Sequence, residues 1–151
     1  MKYIGFNFTK NDLRFCVLDS STNPPTIIEK SKIVYPNNLD TPELMEWFET
    51  QITLIVDKHS PIQISHKISL NISSLDQIKT SCYPQGILNL VAKRKNISIN
   101  SYSSQAINAT KFGLSKKEDV FKHIDTIIGT NPPYWDKATK EAILVAWFNF
   151  L

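Results

Sequence analysis

The chain has 151 residues, 42% of them hydrophobic and 21% charged, which suits one domain with a sizeable core (residues 1–151) and an ordinary globular composition. A formal net charge of +3 is too small to imply a nucleic-acid partner by itself, although a local basic patch is compatible with it. Cys16 and Cys82 stand alone without a CxxC, which excludes a disulfide framework and a zinc site.

The first elements are β-rich. KYIGFNF (2–8) and LRFCVLD (13–19) are apolar runs joined by Thr9-Lys10-Asn11-Asp12, a hairpin signal. Cys16 lies inside the second run and is expected as a buried thiol. SSTNPP (20–25) is a turn, because paired prolines cannot continue a ladder. TIIEKSKIVYP (26–36) reads as a third strand ended by Pro36.

A helix is expected in 37–59, with Thr41 as its cap, Pro42 in its first turn and Glu43 and Glu46 favoured by the positive helix start. Leu44, Trp47, Phe48, Ile52 and Ile55 make its apolar stripe, so Trp47 reads as core. PIQISHKISL (61–70) is a fourth strand. Residues 73–95 are mainly helical, with a break expected at Pro84 and Gly86. NISINSYS (96–103) is a short fifth strand. Three helices follow, in SSQAINATKFG, SKKEDVFKHIDTIIG and ATKEAILVAWFNFL. Gly113 and Gly129 suit stops for the first two, and Ser115 with Glu118 suits a capping box for the second.

The order is βββαβαβ and then helices. An antiparallel meander followed by alternating elements implies a mixed five-stranded sheet flanked by helices. That is the order of the ribonuclease H-like fold. With no leader at Met1 and no long apolar span, a cytoplasmic protein with no membrane partner is expected.

Three stretches carry a resemblance to the RuvC-like branch of that fold, the Holliday-junction resolvase family. IGFNFTKNDLRFCVLD resembles the family's first hairpin, and SYSSQAINATKFGLSKKEDVFKHI its strand, turn, helix and Lys-rich helix start. ATKEAILVAWFNFL is similar to its closing helix. The chain also resembles a bacterial domain-of-unknown-function family of the same fold. The resemblance implies acids on the first strand, at the end of the fourth strand and on the closing helix. These carboxylates hold two divalent cations about 4 Å apart to clamp a phosphodiester.

Here the implied positions are Asn7, Asn71, Ala138 and Glu141. Two acids have become amides and one an alanine, and an amide oxygen carries no charge to offset a dication. Asp136 precedes Glu141 by five residues and points away from it on a helix, while Lys137 and Lys140 disfavour a cation there. Asn7, Asn71 and Glu141 are therefore expected as a relic site. No cofactor follows, and Mg²⁺ or Mn²⁺ enters only if the chain is still a nuclease.

Other chemistry lacks its motifs. There is no glycine-rich phosphate loop, no HExxH and no serine-centred elbow, and His59, His66 and His123 have no metal-ligand spacing. Lys93, Arg94, Lys95, Lys111, Lys116 and Lys117 are the candidate nucleic-acid contacts. Tyr134, Trp135, Trp147 and Phe148 are the candidate interface, through a homodimer or another protein partner. Three functions stay open: a catalytically degenerate binding or assembly module, a divergent metal-dependent nuclease on DNA or RNA, and a non-cutting nucleic-acid binder.

Overall fold

The computed structural model describes residues 1–151. Its five strands are β1 (Lys2–Phe8), β2 (Asp12–Asp19), β3 (Thr26–Val34), β4 (Gln63–Ile68) and β5 (Ser98–Ser103). Its helices are α1 (Thr41–His59), α2 (Leu75–Gln77), α3 (Tyr83–Arg94), α4 (Val120–Ile128) and α5 (Lys137–Trp147). The sheet order is β3-β2-β1-β4-β5, with β1 to β3 antiparallel and β4 and β5 added in parallel. This is the mixed, helix-flanked sheet that the element order implies.

β1 and β2 lie at the centre and are covered on both faces. On one face Ile4, Phe6, Phe8 and Phe15 meet Phe48 and Ile52 of α1 and Leu88 of α3. On the other, Tyr3, Cys16 and Leu18 meet α4 and α5. Cys16 is fully buried, and loss of solvation pushes its thiol far above the ordinary range. Trp47 packs edge-on against Tyr35 and Phe48, as its place on the α1 stripe predicts. No helix is long and apolar enough to cross a membrane.

Several local expectations are corrected. Asp40, not Thr41, caps α1 by accepting from the Glu43 amide at 2.9 Å. The chain does not break at Pro84. It runs from α2 through a π-helical segment, Ile78–Cys82, into α3. Pro84 has no N–H for the Thr80 carbonyl, which instead lies 3.0 Å from Tyr35 Oη, whose single O–H it shares with the Thr9 carbonyl at 2.8 Å. Residues 103–113 form no α-helix but two 3-10 turns, Ser104–Ala106 and Ala109–Phe112. The side chains of Ser103 and Asn108 accept backbone amides there, which competes with a continuous helix. Gly113 closes the second turn at φ 73°. Residues 115–119 lie before α4, which is capped by Asp119 and not by Ser115 with Glu118.

One contact sets the position of α5. A Cβ on Gly5 would lie 1.8 Å from the Ala142 carbonyl oxygen and 3.0 Å from the Ala146 amide. The helix backbone therefore rests directly on β1, which only glycine allows. α5 runs antiparallel to β1: Asn7 meets Ala138, Gly5 meets Ala142, and Tyr3 meets Phe150. Between the first two pairs, four helical residues advance about 6 Å and two strand residues about 6.6 Å, so the elements stay in step there, and Phe150 reaches Tyr3 from the 3-10 turn that follows α5. Gly5→Ala is expected to cost about 3 kcal/mol, at the upper end for overpacking, because backbone cannot swing aside as a side chain can. Urea unfolding measures it.

Candidate functional site

The register of α5 on β1 brings three of the implied positions together. Asn7 is buried, and its Nδ2 donates to the Ala138 carbonyl at 3.0 Å. Glu141, one turn further along α5, is also buried. Its Oε2 lies 2.7 Å from Lys67 Nζ. Phe6 is in register with His66, so Lys67 follows beside Asn7 on the neighbouring strand. Strand alternation turns Lys67 away from His66 and toward α5.

Asn71 is not in this group. β4 ends at Ile68, and Asn71 lies on the exposed stretch beyond it, where it bonds to neither Asn7 nor Glu141. The fourth-strand residue that reaches the site is Lys67. Nor are Lys137 and Lys140 the cations at Glu141. Lys140 pairs with Asp125 at 2.9 Å, and Lys137 lies over the Phe121 ring. Asp136, the extended cap before α5, meets Arg14 on β2, whereas Glu141 meets Lys67 on β4.

Asp136 serves a second ion cluster that sequence reasoning missed. Arg14 is buried on β2, directly across from Asn7. Its Nε donates to Asp12 at 2.7 Å, and its Nη1 donates to Asp136 at 2.6 Å and to Thr139 Oγ1 at 2.9 Å. Burial lowers the guanidinium pKa, but hydrogen bonds and charge from Asp136 and Asp12 outweigh it and raise the net value. Burial raises the Asp136 carboxyl, but Arg14 and the Thr139 amide outweigh it and hold it below the usual range. Asp136 also caps α5 by accepting from the Thr139 amide at 3.0 Å. The available signal was alternation: Asp12 and Arg14 share one strand face within an otherwise apolar run.

Asn7 thus sits between two protein cations, Arg14 on β2 and Lys67 on β4. No group of three His, Cys, Asp or Glu side chains could hold a metal ion. Positions 7, 67, 138 and 141 supply one carboxylate, already paired with an ammonium. This donor set does not fit a pair of divalent cations, which demands several charged oxygens.

The sequence matches no protein-family model and no curated protein. Solved structures do match. Thermus thermophilus RuvC in complex with a Holliday junction substrate superposes with a TM-score of 0.77 at 13% identity, covering 98% of this chain and 91% of that one. The yeast mitochondrial Holliday junction resolvase Ydc2 gives 0.69 at 10% identity, over 96% and 75%. The fowlpox virus Holliday junction resolvase gives 0.55 at 8%, over 98% and 93%. The chain has the RuvC-like ribonuclease H fold. The resemblance implies acids at 7, 71 and 138, where this chain has Asn7, Asn71 and Ala138.

The remaining candidates divide. Arg94 pairs with Glu49 at 3.4 Å and Lys95 with Asp57, so the Lys93–Lys95 cluster is largely neutralised by α1. Lys111, Lys116 and Lys117 are exposed and have no ion partner. Trp147 is not an interface residue: it is buried in the second core against Phe112. Phe148 is half-buried against Tyr102 and Phe112. Trp135 is half-buried, and its indole N–H donates to Asp125 at 2.6 Å. Tyr134 alone of the four is exposed, at 47%.

Breaking a buried ion pair on one side strands the other charge. Lys67→Met is expected to cost about 3 kcal/mol, and Lys67→Met with Glu141→Leu much less, in a denaturation double-mutant cycle. Asp136 predicts the acid limb. Its folded value is depressed, so its contribution is present above the unfolded carboxylate range near pH ~4 and is lost as pH falls through the folded value. Melting temperature should therefore fall on acidification, and Asp136→Asn should shrink that fall.

Proposed function

We propose that this chain is a catalytically degenerate RuvC-like domain that acts as a binding or assembly module and does not cut. The observation that carries this reading is the 2.7 Å ion pair between Lys67 and Glu141. A cation bound at Glu141 would have to displace an ammonium already neutralising it. Asn7, on the adjacent strand, donates a hydrogen bond to the Ala138 carbonyl and carries no charge. Two dications need more negative charge than this site supplies.

The nearest chemistry for a partner is nucleic acid. The Thermus thermophilus RuvC structure is described as a complex with a Holliday junction substrate. The homodimer implied by the sequence resemblance belongs to the same reading, as one form of assembly.

Incubation with labelled four-way junction and single-stranded DNA in Mg²⁺ or Mn²⁺ should leave both intact. Neither metal should raise the melting temperature, because a ligand that binds only the native state stabilises it. In the triple variant Asn7→Asp, Lys67→Glu, Ala138→Asp, Mn²⁺ should raise it. Cleavage by the wild type that Glu141→Ala abolishes would refute the proposal.

A further inference from the structure

On the α1 and α3 side, Lys58, Arg94 and Lys95 are each paired with a carboxylate, from Glu29, Glu49 and Asp57. On the α5 side, lysines lie over aromatic rings. Lys32 stands 6.0 Å from the Tyr134 ring centroid, Lys137 5.5 Å from Phe121, and Lys111 5.7 Å from Tyr102 and 5.9 Å from Phe148. Lys140 lies over Trp135 but is neutralised by Asp125. Lys32, Lys111 and Lys137 have no carboxylate partner. Uncompensated cations and π-faces are thus interleaved on one side of the molecule.

Tyr134 is the ring most open to solvent there. It is a non-glycine residue at φ 61°, a left-handed conformation that a side chain adopts rarely. The chain holds it there from both sides. Lys30 Nζ donates to the Pro133 carbonyl, and the Trp135 indole donates to Asp125. The segment on either side of an exposed ring is tied down, with an ammonium 6.0 Å from the ring centroid.

We infer that this face binds single-stranded nucleic acid, with Tyr134 as a stacking platform and Lys32 and Lys137 as phosphate contacts. The inference rests on the reading that the domain binds without cutting. A single strand offers unstacked bases to a ring and phosphates to ammonium groups, whereas a duplex hides its base faces. The binding is set by charge and stacking and needs no metal.

Anisotropy of a labelled oligothymidine tests it, with unlabelled duplex as competitor. Wild-type affinity should fall steeply with salt, and duplex should compete poorly. Tyr134→Ala should weaken binding about tenfold, the scale of one lost stacked base. Lys32→Glu and Lys137→Glu should weaken it and flatten the salt dependence, while Lys58→Gln, on the α1 side, should leave it unchanged. Melting curves should show that all four variants fold. No salt-sensitive binding, wild-type affinity in Tyr134→Ala, or equal damage from Lys58→Gln would overturn the inference. Cutting of the oligothymidine in Mg²⁺, with the variants behaving as expected, would refute the non-cutting reading and leave the surface supported.

Discussion

The direct seating of the α5 backbone on β1 is the constraint from which the site follows. Gly5 leaves no Cβ to separate the Ala142 carbonyl from the strand, and a side chain there would overlap it at 1.8 Å. Because α5 runs antiparallel to β1 with matched advance, that seating fixes what faces what. Ala138 must lie over Asn7, Asp136 over Arg14, and Glu141 toward Lys67. A helix standing off by one larger residue would make none of these bonds.

This geometry also explains how the carboxylates at the start of α5 are neutralised. A helix that brings a carboxylate onto a sheet needs positive charge beside it, since a buried unpaired charge is costly. Here the sheet supplies that charge. Arg14 answers Asp12 and Asp136, Lys67 answers Glu141, and Asn7 between them uses its amide to hold the first turn of α5. The ion pairs close the start of the helix at one end, and the apolar seating of Tyr3 with Phe150 closes the other.

Much of the fold was legible because its signals are local. The alternation of KYIGFNF and the stripe of Leu44 to Ile55 need no distant partner to be read. The π-helical segment was not legible, since it depends on a missing N–H at Pro84 and on Tyr35 reaching Thr80 from another element. The site was half legible. Asn7, Ala138 and Glu141 were placed by the family resemblance, and the structure brings them to one end of α5 over β1. Asn71 was misplaced because the end of β4 cannot be fixed from sequence to better than a few residues. Arg14 and Lys67 were passed over because each is only an alternate polar residue in its own strand. The order β2-β1-β4 is what sets them on either side of Asn7. Trp147 looked like surplus aromatic surface because the cover over the end of α5 comes from irregular residues near Phe112.

The Lys67 ammonium stands against Glu141 where a cation bound to that carboxylate would have to sit. A crystal soaked in manganese and measured at an anomalous wavelength tests it most directly. The account predicts no anomalous peak at Glu141, with Lys67 Nζ still against the carboxylate. A manganese peak bridging Glu141 and Asn7, with Lys67 swung aside, would contradict it.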